Sequence, residues 1–180
     1  MQVKGTLLMD YVKIVRANKD RKWDRWLAAE DWEIINGQVL PSNWYPYENF
    51  RRIGFAVFKE IADSNLETVR SFGRFSMRRL LEIYKNVLSP GDPVASARNL
   101  AKLRRTFMRG EQETRVAEAG PGWLRYEVST GAEEDHEHSL AFVHQMAGNL
   151  EEIAAQTGGK NVTAQVAEEG KVFNILVRWE

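Results

Sequence analysis

The hydrophobic period of this chain changes once, at Gly110, and that change restricts its fold more than any other feature. Before Gly110 apolar residues recur at three- and four-residue steps, the spacing of one helical face. After it they alternate as in a strand, with one helical interruption. Helices followed by an antiparallel sheet with a crossing helix form an α+β arrangement. The sequence therefore predicts an N-terminal helical half, residues 1–110, followed by a four-stranded antiparallel ββαββ half, residues 111–180, in a single domain.

The strongest helical signal is residues 46–61. Pro46 suits a first helical turn, and Tyr47, Phe50, Ile53, Gly54, Val57, Phe58 and Ile61 then mark one broad apolar stripe. A central helix is predicted there, ending near Ala62-Asp63. Ahead of it, Leu7, Leu8, Tyr11, Ile14 and Val15 predict a first helix starting at Gly5-Thr6 and leaving near Asn18. A second is predicted over 21–32, capped by Asp20, with Trp23, Trp26 and Leu27 on one face as seam filling and Asn36-Gly37 as the stop. Behind the central helix, a short helix over 66–72 meets Gly73, and 71–76 reads as a tight joint. Ser76 then caps a helix bearing Met77, Leu80, Leu81, Tyr84, Val87 and Leu88. Asp92 and Pro93 start the next, which runs through Leu100 and Phe107 to Gly110.

In the second half, strands are predicted over 114–117 and 123–130 around a Gly120-Pro121-Gly122 turn, with Leu124, Tyr126 and Val128 on one face. A helix over 139–156 follows. Strands over 161–166 and 171–179 then flank Glu169-Gly170, with Phe173, Ile175, Val177 and Trp179 facing inward.

Composition narrows the chemistry. There is no cysteine, which removes disulfides, thiol catalysis and thiolate metal sites and suits a cytoplasmic protein. No apolar run approaches a bilayer span, and the acid within MQVKGTLLMDYV reads against a secretory signal. Residues 1–110 hold 20 basic against 12 acidic side chains and residues 111–180 hold 5 against 13, so a neutral chain is polarised +8 and −8. The basic residues are interleaved with acids, as on solvated helices. Arg51-Arg52, Arg78-Arg79 and Arg104-Arg105 could contact phosphates, but without base readout, so no specific nucleic-acid partner is expected.

The three histidines, His136, His138 and His144, lie in or after the acidic run 133–137. Their spacing matches no standard metal pattern, and a charged loop before a helix carries the same residues, so no metal is assigned. No serine lies in a GxSxG turn, no histidine precedes residue 136, and Gly120-Pro121-Gly122 lacks the Lys of a phosphate loop. No enzyme is expected.

With GTLLMDYVKIVRAN, SNWYPYENFRRIGFAVFKEI, SFGRFSMRRLLEIYKNVL and KVFNILVRW, the chain resembles an uncharacterised bacterial family found mostly in myxobacteria and their relatives. It is more distantly similar to the superfamily joining 4-vinyl-reductase-type sensors, haem–nitric-oxide-binding domains and Bet3 tethering subunits. That resemblance implies a sensor or ligand-binding domain holding a small apolar ligand, haem or an acyl chain between its helical part and its sheet. It also implies, for haem members, a histidine in the helical half and a Tyr-x-Ser-x-Arg clamp, both absent here. The expectation is a non-enzymatic, cofactor-free domain for an apolar or lipidic ligand. Trp44, Tyr47, Phe50, Phe58, Phe107, Phe173 and Ile175 would form its wall, with Arg74 for an anionic head. The alternative is a protein-interaction module acting as a homodimer.

Overall fold

In a computed structural model of the chain, residues 1–110, 113–129, 135–170 and 172–180 are described. The expected strand ends at Thr130 and Lys171, and Glu133 and Glu134 of the acidic run, lie outside them. Backbone contacts divide the chain into two compact units, Met1–Asn65 with Arg105–Glu111 and Leu66–Arg104 with Gln112–Glu180. Residues 66–104 of the N-terminal half therefore cluster with the strands of the large sheet.

The first unit opens with β1 (Gln2–Lys4) and α1 (Gly5–Ala17), closed by Asn18 as predicted. The helix expected over 21–32 is instead a 3-10 turn, Trp23–Arg25, followed by α2 (Ala29–Asn36). Two bonds account for the shift. The Trp23 indole donates to the Asn18 carbonyl at 2.7 Å, folding the turn back onto the end of α1. Asp31 Oδ2 accepts the Ala28 N–H at 2.8 Å, fixing the start of α2. Next come β2 (Trp44–Pro46) and the central helix α3 (Tyr47–Glu60), so Pro46 sits just ahead of the helix and not within its first turn. The buried face of α3 passes through Asn49, Ile53, Ala56 and Val57, leaving Phe50 and Ile61 at its border. Asn49 is drawn inward because its amide donates to Asp31 Oδ1 at 2.8 Å.

The second unit begins with α4 (Leu66–Ile83), one unbroken helix where the sequence suggested a joint at Gly73. Ser76 caps nothing; its hydroxyl donates to the Gly73 carbonyl inside the helix. After a 3-10 turn, Lys85–Val87, the Asp92 carboxylate accepts the Ala95 N–H at 2.9 Å and starts α5 (Pro93–Phe107), which carries the chain back to the first unit. There β3 (Met108–Arg109) joins a three-stranded antiparallel sheet in the order β2-β1-β3. The strands β4 (Thr114–Gly120), β5 (Trp123–Ser129), β6 (Thr163–Glu169) and β7 (Val172–Arg178) make the second sheet, in the order β4-β5-β7-β6. Between its two hairpins runs α6 (His136–Gln156), whose Asp135 cap accepts the Glu137 and His138 N–H groups.

Leu124, Tyr126 and Val128 lie opposite Val177, Ile175 and Phe173, and all six are buried, so the predicted inward faces are the observed ones. The α6 helix closes this core with Val143, Ala147, Leu150 and Ile153. It crosses α4 where both helices have glycine. A Cβ on Gly73 would overlap the Gln145 carbonyl oxygen, and one on Gly148 would lie 2.9 Å from the Arg70 carbonyl carbon and 3.0 Å from the Arg74 nitrogen. Glycine at both positions is what allows the backbones to touch.

Candidate functional site

The outward face of the small sheet in the first unit collects positive charge on aromatic surface. Val3 points inward and is fully buried, so its neighbours on β1, Gln2 and Lys4, point the other way. Lys4 pairs with Trp44 across the sheet and Gln2 with Arg109, which places Lys4, Trp44 and Arg109 on one face. The Lys4 ammonium is 5.4 Å from the Trp44 ring and 6.0 Å from that of Phe107, and the Arg109 guanidinium is 3.8 Å from Trp44. Among the described residues neither cation has a carboxylate partner, whereas Arg51, Arg52, Arg70, Arg74, Arg78, Arg115 and Arg125 all do. A cation over an indole is held by the ring quadrupole while its charge stays open to an anion.

Five of the expected wall residues lie in this unit, in three groups. Trp44 and Phe107 meet at Lys4. Tyr47 and Phe50 are 6.0 Å apart, with Tyr11 5.5 Å from Phe50. Phe58 is 6.0 Å from Phe55 beside Lys59, whose ammonium also covers Trp26. Trp26 is only partly buried and donates to Glu60 at 2.8 Å, so it and Trp23 do not share the single face expected of them. That bond, first among the causes, holds the Glu60 carboxyl below its ordinary value.

The other two wall residues, and Arg74, belong to the second unit. Phe173 and Ile175 fill its core. Arg74, expected to hold an anionic head, is already engaged: it donates to Glu67 at 2.8 Å and to Glu151 at 2.7 Å. The Glu67 bond leads in raising the Arg74 pKa, as the Arg74 bond leads in lowering that of Glu67. The same ladder continues with Arg70 on Glu151 and with Arg78 on Glu152, whose carboxyl is held low chiefly by that arginine. Beside it lies an open cleft of about 310 Å³ lined by Arg74, Glu151, Glu152, Ala155, Gly159, Asn161 and Val162. Its charged groups pair with one another, and Arg74 ties α4 to α6 through Glu151.

The histidines do not converge. His136 Nε2 lies 2.8 Å from Glu168 Oε2, His138 is buried on α6, and the His144 pKa is lowered first by burial and then by Arg70. Among the described residues no group of three or more His, Asp or Glu is placed to hold a metal ion. Members of the arginine pairs have local partners: Arg51 binds Glu48, Arg52 binds Asp31, Arg78 binds Glu152, and Arg104 lies over Phe142 and meets the Met146 sulfur. No helix among the described residues is long and apolar enough to cross a membrane.

No protein-family model matches the sequence, and neither does any curated protein. Solved structures do match in fold. The chain superposes on an Fe(II) unliganded H-NOX protein from K. algicida with a TM-score of 0.66 at 14% identity, over 98% of this chain and 96% of that one. It superposes on an H-NOX structure solved to probe the function of haem distortion with a TM-score of 0.62 at 13% identity, over 98% and 95%. For an oxygen-binding H-NOX domain related to soluble guanylate cyclases the TM-score is 0.60 at 14% identity, again over 98% and 95%. At such identity the likeness establishes a shared α+β fold.

Proposed function

We propose that the chain is a non-enzymatic, ligand-binding sensor domain whose ligand is a small apolar or lipidic molecule with an acidic group. The observation that carries this reading is the Lys4/Arg109 pair on Trp44, two cations with no carboxylate partner among the described residues, beside the aromatic start of α3. The H-NOX fold supports the sensor part, since the domains it matches are described by iron, haem or oxygen. A wider kinship with vinyl-reductase-type sensors and Bet3 subunits, and a cytoplasmic setting, belong to the same proposal.

Haem would find no histidine or cysteine ligand in the first unit, where the Trp44 face lies. Its iron takes a histidine, thiolate, methionine or tyrosine as axial ligand. The chain has no cysteine, and its histidines all lie on α6, in the second unit. His136 is tied to Glu168, His138 is buried on α6, and His144 is partly buried near Arg70 and Glu67. The cleft beside Arg74 has no axial donor in its wall.

Oleate and haemin make opposing probes. Oleate should quench tryptophan fluorescence saturably, and the Lys4→Gln/Arg109→Gln double variant should bind it at least about tenfold more weakly, the loss of one good charge contact. Haemin should give only the broad absorption of unspecific adsorption. Equal oleate affinity in both proteins, or a sharp haem spectrum abolished by replacing a single histidine, would overturn the proposal.

A further inference from the structure

The outer face of α4 breaks the usual segregation of apolar and polar surface. Its inner stripe, Val69, Gly73, Met77 and Leu81, is buried, but Phe75 on the opposite side is 60% exposed and Ile83 is 72% exposed. With Ser71 and Arg79, also exposed, they form a row at four-residue steps. Such a row is the ridge that interdigitates when two helices pack at about −50°. The Arg79 guanidinium is 5.9 Å from the Phe75 ring, so the long side chain lies along this ridge. Glu82 is exposed on the neighbouring turn and makes no ion pair among the described residues.

We propose that this ridge is the contact face of a homodimer, with a second copy of the same chain packed antiparallel across a two-fold axis at Arg79. The row is complementary to itself. Reversal about Arg79 sets Phe75 of each copy against Ile83 of the other, because both lie four residues from the centre. It also brings each Arg79 near the partner's Glu82, a base on each copy facing an acid on the other. A foreign helix would have no reason to meet an aromatic at one end, an aliphatic at the other and this charge pair between them. A two-fold contact meets each requirement twice. The inference is independent of which ligand the first unit takes.

Sedimentation equilibrium over a wide concentration range tests it. The wild-type chain, 20.7 kDa, should reach twice that mass. Phe75→Asp and Ile83→Asp should each raise the dissociation constant by about a hundredfold or more, since symmetry counts every lost contact twice. Both positions face solvent, so circular dichroism should show unchanged folding. Arg79→Glu should also weaken the dimer, and Arg79→Glu combined with Glu82→Arg should restore it. A wild-type chain that stays monomeric throughout would overturn the proposal. So would a dimer indifferent to Phe75→Asp and Ile83→Asp, or a charge reversal that restores nothing.

Discussion

Gly148→Ala is expected to destabilise the protein by about 3 kcal/mol or more, at or above the upper end of the range for overpacking a close contact. On an open helix the same change would stabilise, because alanine is favoured over glycine by roughly 1 kcal/mol. The sign reverses because the added methyl has no room. It would meet the Arg70 carbonyl group and lie 3.0 Å from the Arg74 nitrogen, and both are backbone. A side chain could turn aside, but backbone can yield only if α4 and α6 separate. That separation also stretches the bonds from Arg70 and Arg74 to Glu151. Gly73→Ala should cost a comparable amount against the Gln145 carbonyl. The double variant should lose clearly less than the sum, because once the helices have parted for one methyl the second is partly accommodated. Urea midpoints for the four proteins supply the measurement. A stabilised Gly148→Ala variant would show that the helices do not touch there.

Asp31→Ala should cost about 3–5 kcal/mol, the range for breaking a buried ion pair by removing one partner. The Asp31 carboxylate is fully buried and accepts four bonds: from Ala28 N–H, Asn49 Nδ2 and Arg52 Nε at 2.8 Å each, and from Arg52 NH2 at 3.2 Å. It links the start of α2 to two successive turns of α3. Removing it strands the Asn49 amide and leaves the Arg52 guanidinium, whose pKa the Asp31 bond does most to raise, with the weaker contact to Glu48 at 3.7 Å. Asp31→Asn should lose less, since it keeps the shape and part of the bonding. Replacing the pair together, Asp31→Leu with Arg52→Met, should recover part of the loss, because the stranded partner costs more than the missing attraction. Chemical denaturation of the single and paired variants checks the ordering. A loss below about 1 kcal/mol for Asp31→Ala, the level of an exposed pair, would contradict this role.

Features that depend on local periodicity were legible in the sequence. Leu124, Tyr126 and Val128 alternate along their own strand, as do Phe173, Ile175 and Val177, and alternation alone tells which side is buried. Asp92-Pro93 marks the start of α5 for equally local reasons. What failed depended on a distant partner. A glycine such as Gly73 can mark a bend or a close approach, and only Gly148 and Gln145 on α6 decide between them. The pairing of Arg74 with Glu151 could not be read locally, because the two lie 77 positions apart along the chain. The strands β1, β2 and β3 have two or three residues each, too few to show alternation, so the sheet that gathers Lys4, Trp44 and Arg109 left no local trace. Trp44 and Phe107 could be named as aromatic candidates, but the cations beside them could not.

Native mass spectrometry of the freshly purified full chain tests the central claim most directly, because it weighs the protein together with whatever it has retained. The expected result is a fraction carrying the extra mass of an acidic apolar molecule, released by organic extraction and much reduced in the Lys4→Gln/Arg109→Gln variant. A stoichiometric haem adduct, or a bare chain that also fails to take up added oleate, would contradict it.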